Sequence, residues 1–229
     1  MFDMARTKAV LWDLDDTLYS RRQAARLTFP GMFKTLLYPG FSDRQLEEAA
    51  DYMMTKVHRN SMVPPEAFLQ LTEQYPPEIP FDFHACLNYY YENMYKHATA
   101  DSEALAILRK LRDLGVRTAI VTNIPKDRTA DQWRKIRTMG LDSLFDQIIV
   151  SGELDIHKPD RRIFDHAAGL LGVSNRECLF VGDDPASDVA GARNAGMEVL
   201  WLDHRWEEDP FADDPLVHRV RSVAEYFSF

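Results

Sequence analysis

Between Asp101 and Leu202 two patterns alternate that no single backbone geometry can satisfy. Leu105, Leu108, Leu111 and Leu114 recur at helical spacing and stop at Gly115, and the short apolar run Val116 to Thr122 follows at once. A second helix is predicted over 127–139, closed by Gly140, with a strand at Ile148 to Ser151. Ile163, Phe164, Ala167, Ala168, Leu170 and Leu171 form another helical stripe ending at Gly172. Leu179 to Val181 reads as a strand, Ala190 to Ala195 as a small-residue helix stopped by Gly196, and Val199 to Leu202 as a last strand. Apolar spacing of 3.6 followed by glycine marks helices and their ends, and short apolar runs between them mark buried strands. Strand-helix units with short loops pack as a doubly wound, mostly parallel sheet, so the expected class is α/β.

One further strand candidate lies upstream. Val10-Leu11-Trp12-Asp13-Leu14-Asp15-Asp16-Thr17-Leu18 is an apolar run that ends in three carboxylates within four residues. Like charges held so close repel, and one of them protonates unless a cation is supplied. Open α/β sheets bind ligands beyond the carboxyl ends of their strands. The cluster therefore reads as a carboxylate site that takes a metal ion.

Residues 20–99 follow different rules. No convincing strand appears, while aromatic and methionine residues are frequent. Ser42-Asp43-Arg44-Gln45 is a capping-box start for a helix through about His58. Pro64-Pro65 starts another through about Gln74, and Pro76, Pro77 and Pro80 break the chain before a helix over 82–97. The expectation is a core formed by 1–19 and 100–229, with 20–99 as an α-helical cap that folds over the first strand's end as a substrate-selecting lid. Tyr89, Tyr90, Tyr91 and Tyr95 read as cap core, and Arg21, Arg22 and Arg26 as a charged helix face. His204 to Asp214 reads as an acidic loop, and Ser222 to Phe229 as a short final helix.

Composition narrows the partners. A net charge of -9 over 229 residues disfavours a nucleic-acid polymer or an anionic membrane. Cys86 and Cys178 stand far apart, with neither a zinc pattern nor a disulfide framework, which suits a cytoplasmic setting. No apolar run approaches the roughly 20 residues that span a bilayer.

Four groups of polar residues fall at strand ends. They are Asp13, Asp15, Asp16 and Thr17; Thr122-Asn123; Lys158 within His157-Lys158-Pro159-Asp160; and Gly182-Asp183-Asp184-Pro185-Ala186-Ser187-Asp188. Parallel strands bring such positions to one sheet edge. In this order and spacing they resemble the four motifs of the haloacid dehalogenase superfamily, from about Ala9 to Leu202. The insert after the first motif is similar to the subgroup with an α-helical cap. The resemblance implies a Rossmann-like core and a Mg²⁺-dependent phosphatase working through an aspartyl-phosphate.

It also implies roles. Asp13 would be the nucleophile and Asp15 the proton donor and acceptor. Mg²⁺ would be held by Asp13, the Asp15 carbonyl and Asp183. Thr122, the Asn123 amide and Lys158 would grip the phosphate, with Lys158 also offsetting carboxylate charge. Asp188 would orient Lys158 or a metal-bound water, Asp184 would lie in the metal environment or in solvent, and Asp16 would shape the turn. His157 reads as exposed. The partner would be a small phosphate ester, with a nucleoside 5′-monophosphate placed first and a sugar phosphate or phosphoglycolate next. A phosphomutase shares the same aspartates. A 2-haloacid dehalogenase would leave Asp15 and Asp183 without a purpose, and a silent phosphate-binding module would not need both Asp13 and Asp15.

Overall fold

The computed structural model describes residues 3, 5–57, 64–204 and 208–227. The chain divides into two compact units, Met1–Tyr19 with Ala100–Phe229, and Ser20–Thr99. The first strand, β1 (Ala9–Trp12), is buried along its whole length. Removing Val10 and Leu11 from water contributes about 1.5–3 kcal/mol each.

Unit Ser20–Thr99 is helical. In α1 (Arg21–Leu36) the Ser20 hydroxyl accepts the Gln23 amide at 3.2 Å, and Phe29, Met32 and Phe33 are buried. The apolar pattern does not delimit this helix, because the breaker residues Pro30 and Gly31 lie inside it. The expected capping box opens α2 (Asp43–Lys56), with Ser42 and Gln45 satisfying each other's backbone amides. The helix stops two residues short of His58, which lies outside the described residues. Pro65 occupies the first turn of α3 (Pro65–Gln74), where its missing N–H costs nothing. The expected 82–97 helix is α4 (Phe83–Asn93) followed by a tighter turn over Met94–His97. Tyr90 and Tyr91 are buried, with the Tyr90 ring stacked 6.1 Å from Phe29. Arg26 pairs with Asp51 and Glu47, both at 2.6 Å, and Arg22 donates to the Met54 and Val57 carbonyls. These two arginines tie α1 to α2 along its length.

The remaining elements belong to the other unit. They are α5 (Ser102–Asp113), β2 (Arg117–Thr122), α6 (Thr129–Thr138), β3 (Gln147–Val150), the single turn α7 (Ser151–Leu154) and α8 (Arg161–Leu171). After them come β4 (Cys178–Gly182), α9 (Ala190–Ala195), β5 (Glu198–Leu202) and β6 (Val217–Val220). The six strands form one parallel sheet in the order β3-β2-β1-β4-β5-β6. The chain winds outward on one side of β1, returns, and winds outward on the other. The switch of direction falls between β1 and β4, where such sheets open a crevice.

β6 is an addition to the expected strands. It is four residues long, with His218 and Arg219 between its valines, so it carries no apolar run to read. The predicted final helix is reduced to one turn at Val223–Glu225, and residues 228–229 lie outside the described residues. Among the described residues no helix is long and apolar enough to cross a membrane.

Candidate active site

The pairing of β1 with β4 continues one residue past the strand, where the Asp13 amide donates to the Val181 carbonyl at 2.8 Å. This places Asp13 at the switch point, beside the turn Gly182-Asp183. Lys158, in the loop before α8, reaches the same place. Its Nζ lies 2.6 Å from Asp13 Oδ1 and 2.7 Å from Asp188 Oδ1. The other oxygen of Asp188 accepts the amides of Asp183 (3.2 Å) and Asp184 (3.1 Å), so one carboxylate shapes the turn and holds the lysine. Gly182 permits this approach, because a Cβ there would stand 2.5 Å from Asp188 Oδ2. Trp201 Nε1 donates to the Asp183 carbonyl at 3.1 Å, fixing the turn from β5.

The charges in this cluster do not balance. Oxygens of Asp13, Asp183 and Asp188 converge within 4.8 Å of one another. Burial, only partly offset by Lys158, pushes the Asp13 carboxyl up to about 7, with Asp188 and Asp15 adding to the rise. Burial, then repulsion from Asp13 and Asp188, also holds Asp183 well above the usual carboxylate range. Lys158 shifts the other way: burial alone would lower it, but Asp13 and Asp188 outweigh that and strengthen its charged form. The donor set is all carboxylate oxygen, which suits a hard divalent cation such as Mg²⁺, and the excess negative charge is what such an ion would relieve. The residues therefore fit the metal.

Asp184 and Asp16 have local work instead. The Asp184 carboxylate accepts the amides of Ala186 (2.9 Å) and Ser187 (2.6 Å), and it is not among the three converging acids. Asp16 adopts φ +61°, a left-handed turn that Asp tolerates better than most residues. His204 Nε2 lies 2.8 Å from the Asp16 carbonyl, which only accepts, so that nitrogen carries the proton. His157 is exposed.

The second motif behaves in two parts. Thr122, fully buried at the end of β2, receives Gln132 Nε2 at 2.5 Å on its hydroxyl oxygen. The Asn123 side chain brackets the Lys158 backbone, with Nδ2 donating to the Lys158 carbonyl and Oδ1 accepting the Lys158 amide, both at 2.9 Å. The two motifs are thereby locked together.

Residues 7–196 match the family model of the haloacid dehalogenase-like hydrolases. The chain belongs to this family. The dehalogenase-like hydrolase is 29% identical over 196 residues to a glyceraldehyde 3-phosphate phosphatase of Methanopyrus kandleri, covering 84% of this chain and 82% of that one. It is 28% identical to an N-acylneuraminate-9-phosphatase of Rattus norvegicus, over 97% and 93% of the two chains. Its fold superposes on the magnesium-bound HAD-hydrolase YfnB of Bacillus subtilis with a TM-score of 0.75, at 20% identity and 96% coverage of both. Family and relatives together make it a phosphoric monoester hydrolase.

The sequence reading did not find the neighbours of Asp15. Its carboxylate is met by Lys135 Nζ (2.9 Å) and the Tyr19 hydroxyl on Oδ1, and by Gln132 Nε2 (3.0 Å) on Oδ2. A signal was present: the stripe of α6 that includes the buried Ile136 also carries Gln132 and Lys135. Polar residues on the apolar face of a helix point to a partner inside the fold.

Proposed function

We propose that this hydrolase is a Mg²⁺-dependent phosphatase that cleaves a small primary alkyl phosphate through a covalent aspartyl-phosphate on Asp13. The observation that carries the proposal is the convergence of Asp13, Asp183 and Asp188 around the buried Lys158 at the switch point. Asp13 and Asp183, with the Asp15 carbonyl, would hold the metal, and Asp188 stands close enough to join them. When bound, Mg²⁺ supplies the positive charge that lets an anionic carboxylate approach an anionic phosphate.

The remaining work falls to the chain. Asp13 forms a bond to phosphorus as the ester P–O bond breaks, and Asp15 gives its proton to the departing alkoxide. In the second half Asp15 takes a proton from water as the water oxygen attacks phosphorus. The Asp13–phosphoryl bond then breaks and inorganic phosphate leaves. Thr122, the Asn123 amide and Lys158 hold the non-bridging oxygens, and Lys158 also stabilises Asp13 as its charge is redistributed. We assign the choice of leaving group to residues 20–99, inserted directly after the first motif.

The relatives support the substrate class. Glyceraldehyde 3-phosphate and N-acylneuraminate 9-phosphate, the compounds in their names, are both esters of primary alcohols. A nucleoside 5′-monophosphate belongs to the same class and stays first in the panel, ahead of sugar phosphates and phosphoglycolate. The test is phosphate release from such a panel, ranked by kcat/KM in EDTA and after Mg²⁺ is restored. Primary alkyl esters should lead, and EDTA should remove turnover reversibly. Full activity in EDTA, or phosphoryl return to a bisphosphate instead of release, would overturn the reading.

A further inference from the structure

Gln132, Lys135 and Tyr19 enclose Asp15, yet no step written above uses them. All three are buried, at 0%, 3% and 2% exposure. Lys135 and Tyr19 hold one oxygen of the Asp15 carboxylate and Gln132 holds the other. Lys135 Nζ also lies 3.2 Å from the Tyr19 hydroxyl, so the two donors are themselves joined. Buried ion pairs are weak sources of stability, and apolar residues of similar volume often serve as well or better. Stability alone therefore does not account for a buried lysine here.

Gln132 adds a second thread. Its Nε2 bridges Asp15 Oδ2 and Thr122 Oγ1. In its ionised form Asp15 only accepts, and the amide then presents its NH₂ group to it. With the Thr122 oxygen accepting from that same group, the Thr122 hydroxyl proton is left to donate to a phosphoryl oxygen. One side chain thus touches both the proposed proton donor and the proposed phosphate grip.

We infer that Lys135, Gln132 and Tyr19 are positioning residues that aim the Asp15 carboxyl at the leaving oxygen, with Gln132 coupling that aim to the phosphate grip at Thr122. The inference rests on the assignment of Asp15 as proton donor. As the ester P–O bond breaks, its electron pair stays on the alkoxide oxygen and the Asp15 proton moves there. Lys135 remains charged throughout. A misplaced donor costs most where the leaving group is a strong base, and least where it is a stable anion.

The test compares the fastest alkyl monoester of the panel with p-nitrophenyl phosphate, whose leaving group needs little protonation. Asp15→Asn sets the scale, with kcat/KM for the alkyl ester falling about 10²-fold or more beyond its effect on the aryl ester, since hydrolysis of the shared aspartyl-phosphate does not enter that ratio. Lys135→Met and Gln132→Leu should show the same bias in kcat/KM at about 10-fold or more. Lys135→Arg should recover part of it. A purely structural role would lower both substrates by one factor, and that result overturns the inference, as does no loss at all. Should Lys135→Met fail to fold, Tyr19→Phe removes a single hydroxyl and poses the same question. If Asp15→Asn itself shows no bias, the donor assignment falls and the positioning role with it, while hydrolysis through Asp13 stands.

Discussion

Asp183, one residue past β4, and Glu198, the first residue of the neighbouring β5, both expose 8% of their surface, yet their carboxyl groups shift in opposite directions. Glu198 meets donors: His218 Nε2 at 2.6 Å, the Tyr226 hydroxyl at 2.8 Å and Arg6 at 3.5 Å. The His218 hydrogen bond outweighs burial and holds Glu198 below the usual range for a glutamate. Asp183 meets acids, so burial and repulsion act together and hold it well above the range. Surface exposure alone therefore does not separate the two acids; depth and the sign of the neighbouring charge together do. A cluster at the amino end of the sheet pairs its acid with donors from the C-terminal segment, while the cluster at the carboxyl end holds three buried acids against one lysine.

The contrast breaks most sharply at Asp13. Asp13→Asn keeps the shape of the side chain and removes its nucleophilic oxygen pair. Turnover of the best monoester should fall by about 10⁴-fold or more, the scale seen when a covalent nucleophile is deleted. Circular dichroism should still report a folded chain, because the over-acidic cluster gains by losing a charge. Residual activity within about 10-fold of the parent would remove Asp13 from its role.

Asp183→Asn tests the same cluster through stability. A carboxyl raised in the fold binds its proton more tightly there than in the unfolded chain. Its contribution is thus complete below the unfolded value of about 3.9 and is lost as pH rises through the higher folded value. Without metal, the stability of the parent relative to the variant should fall as pH climbs from the acid side toward neutrality. With Mg²⁺ at a hundred times its dissociation constant, the parent should gain about 2.7 kcal/mol. For a chain of this size that is a melting shift of roughly 5–11 °C. The variant should show little of that gain in thermal melts at neutral pH. An equal Mg²⁺ response in both proteins would place the ion elsewhere.

These sites differed in how far the sequence could reveal them. Asp13, Thr122, Lys158 and Asp183 stand at or just beyond strand ends and in loops, where local pattern and the doubly wound topology suffice to bring them to one edge. Gln132 and Lys135 lie mid-helix, and their partner Asp15 is 117 and 120 residues away, so only the packed fold shows what they face. The same holds for Trp201, whose ring nitrogen fixes the Asp183 carbonyl while the residue reads as plain strand apolar. α1 was obscured by Pro30, and β6 by its length and by the adjacent His218 and Arg219 at its centre. Asp188 shows the limit in another way. Its place in the fourth motif and a hold on Lys158 were expected, but the use of its other oxygen for two amides is a property of geometry alone.

The smallest effect lies at the Glu198 cluster and concerns stability only. Glu198→Gln keeps the side chain's length and removes its charge. His218, Tyr226 and Arg6 are then left facing a neutral amide. Glu198 is lowered in the fold, so its contribution is present above the unfolded carboxyl range and is lost as pH falls through the lower folded value. The parent should therefore exceed the variant at neutral pH by on the order of 1 kcal/mol, a figure held down by partial solvent access. That margin should shrink below about pH 4.3, the unfolded glutamate value. Urea melts at neutral and acid pH would measure it, and kcat with Mg²⁺ should stay at the parental value in the same variant. A margin that stays constant across that range would mean the cluster is held by packing around Tyr226 and His218, whose rings lie 4.9 Å apart, and not by its charge.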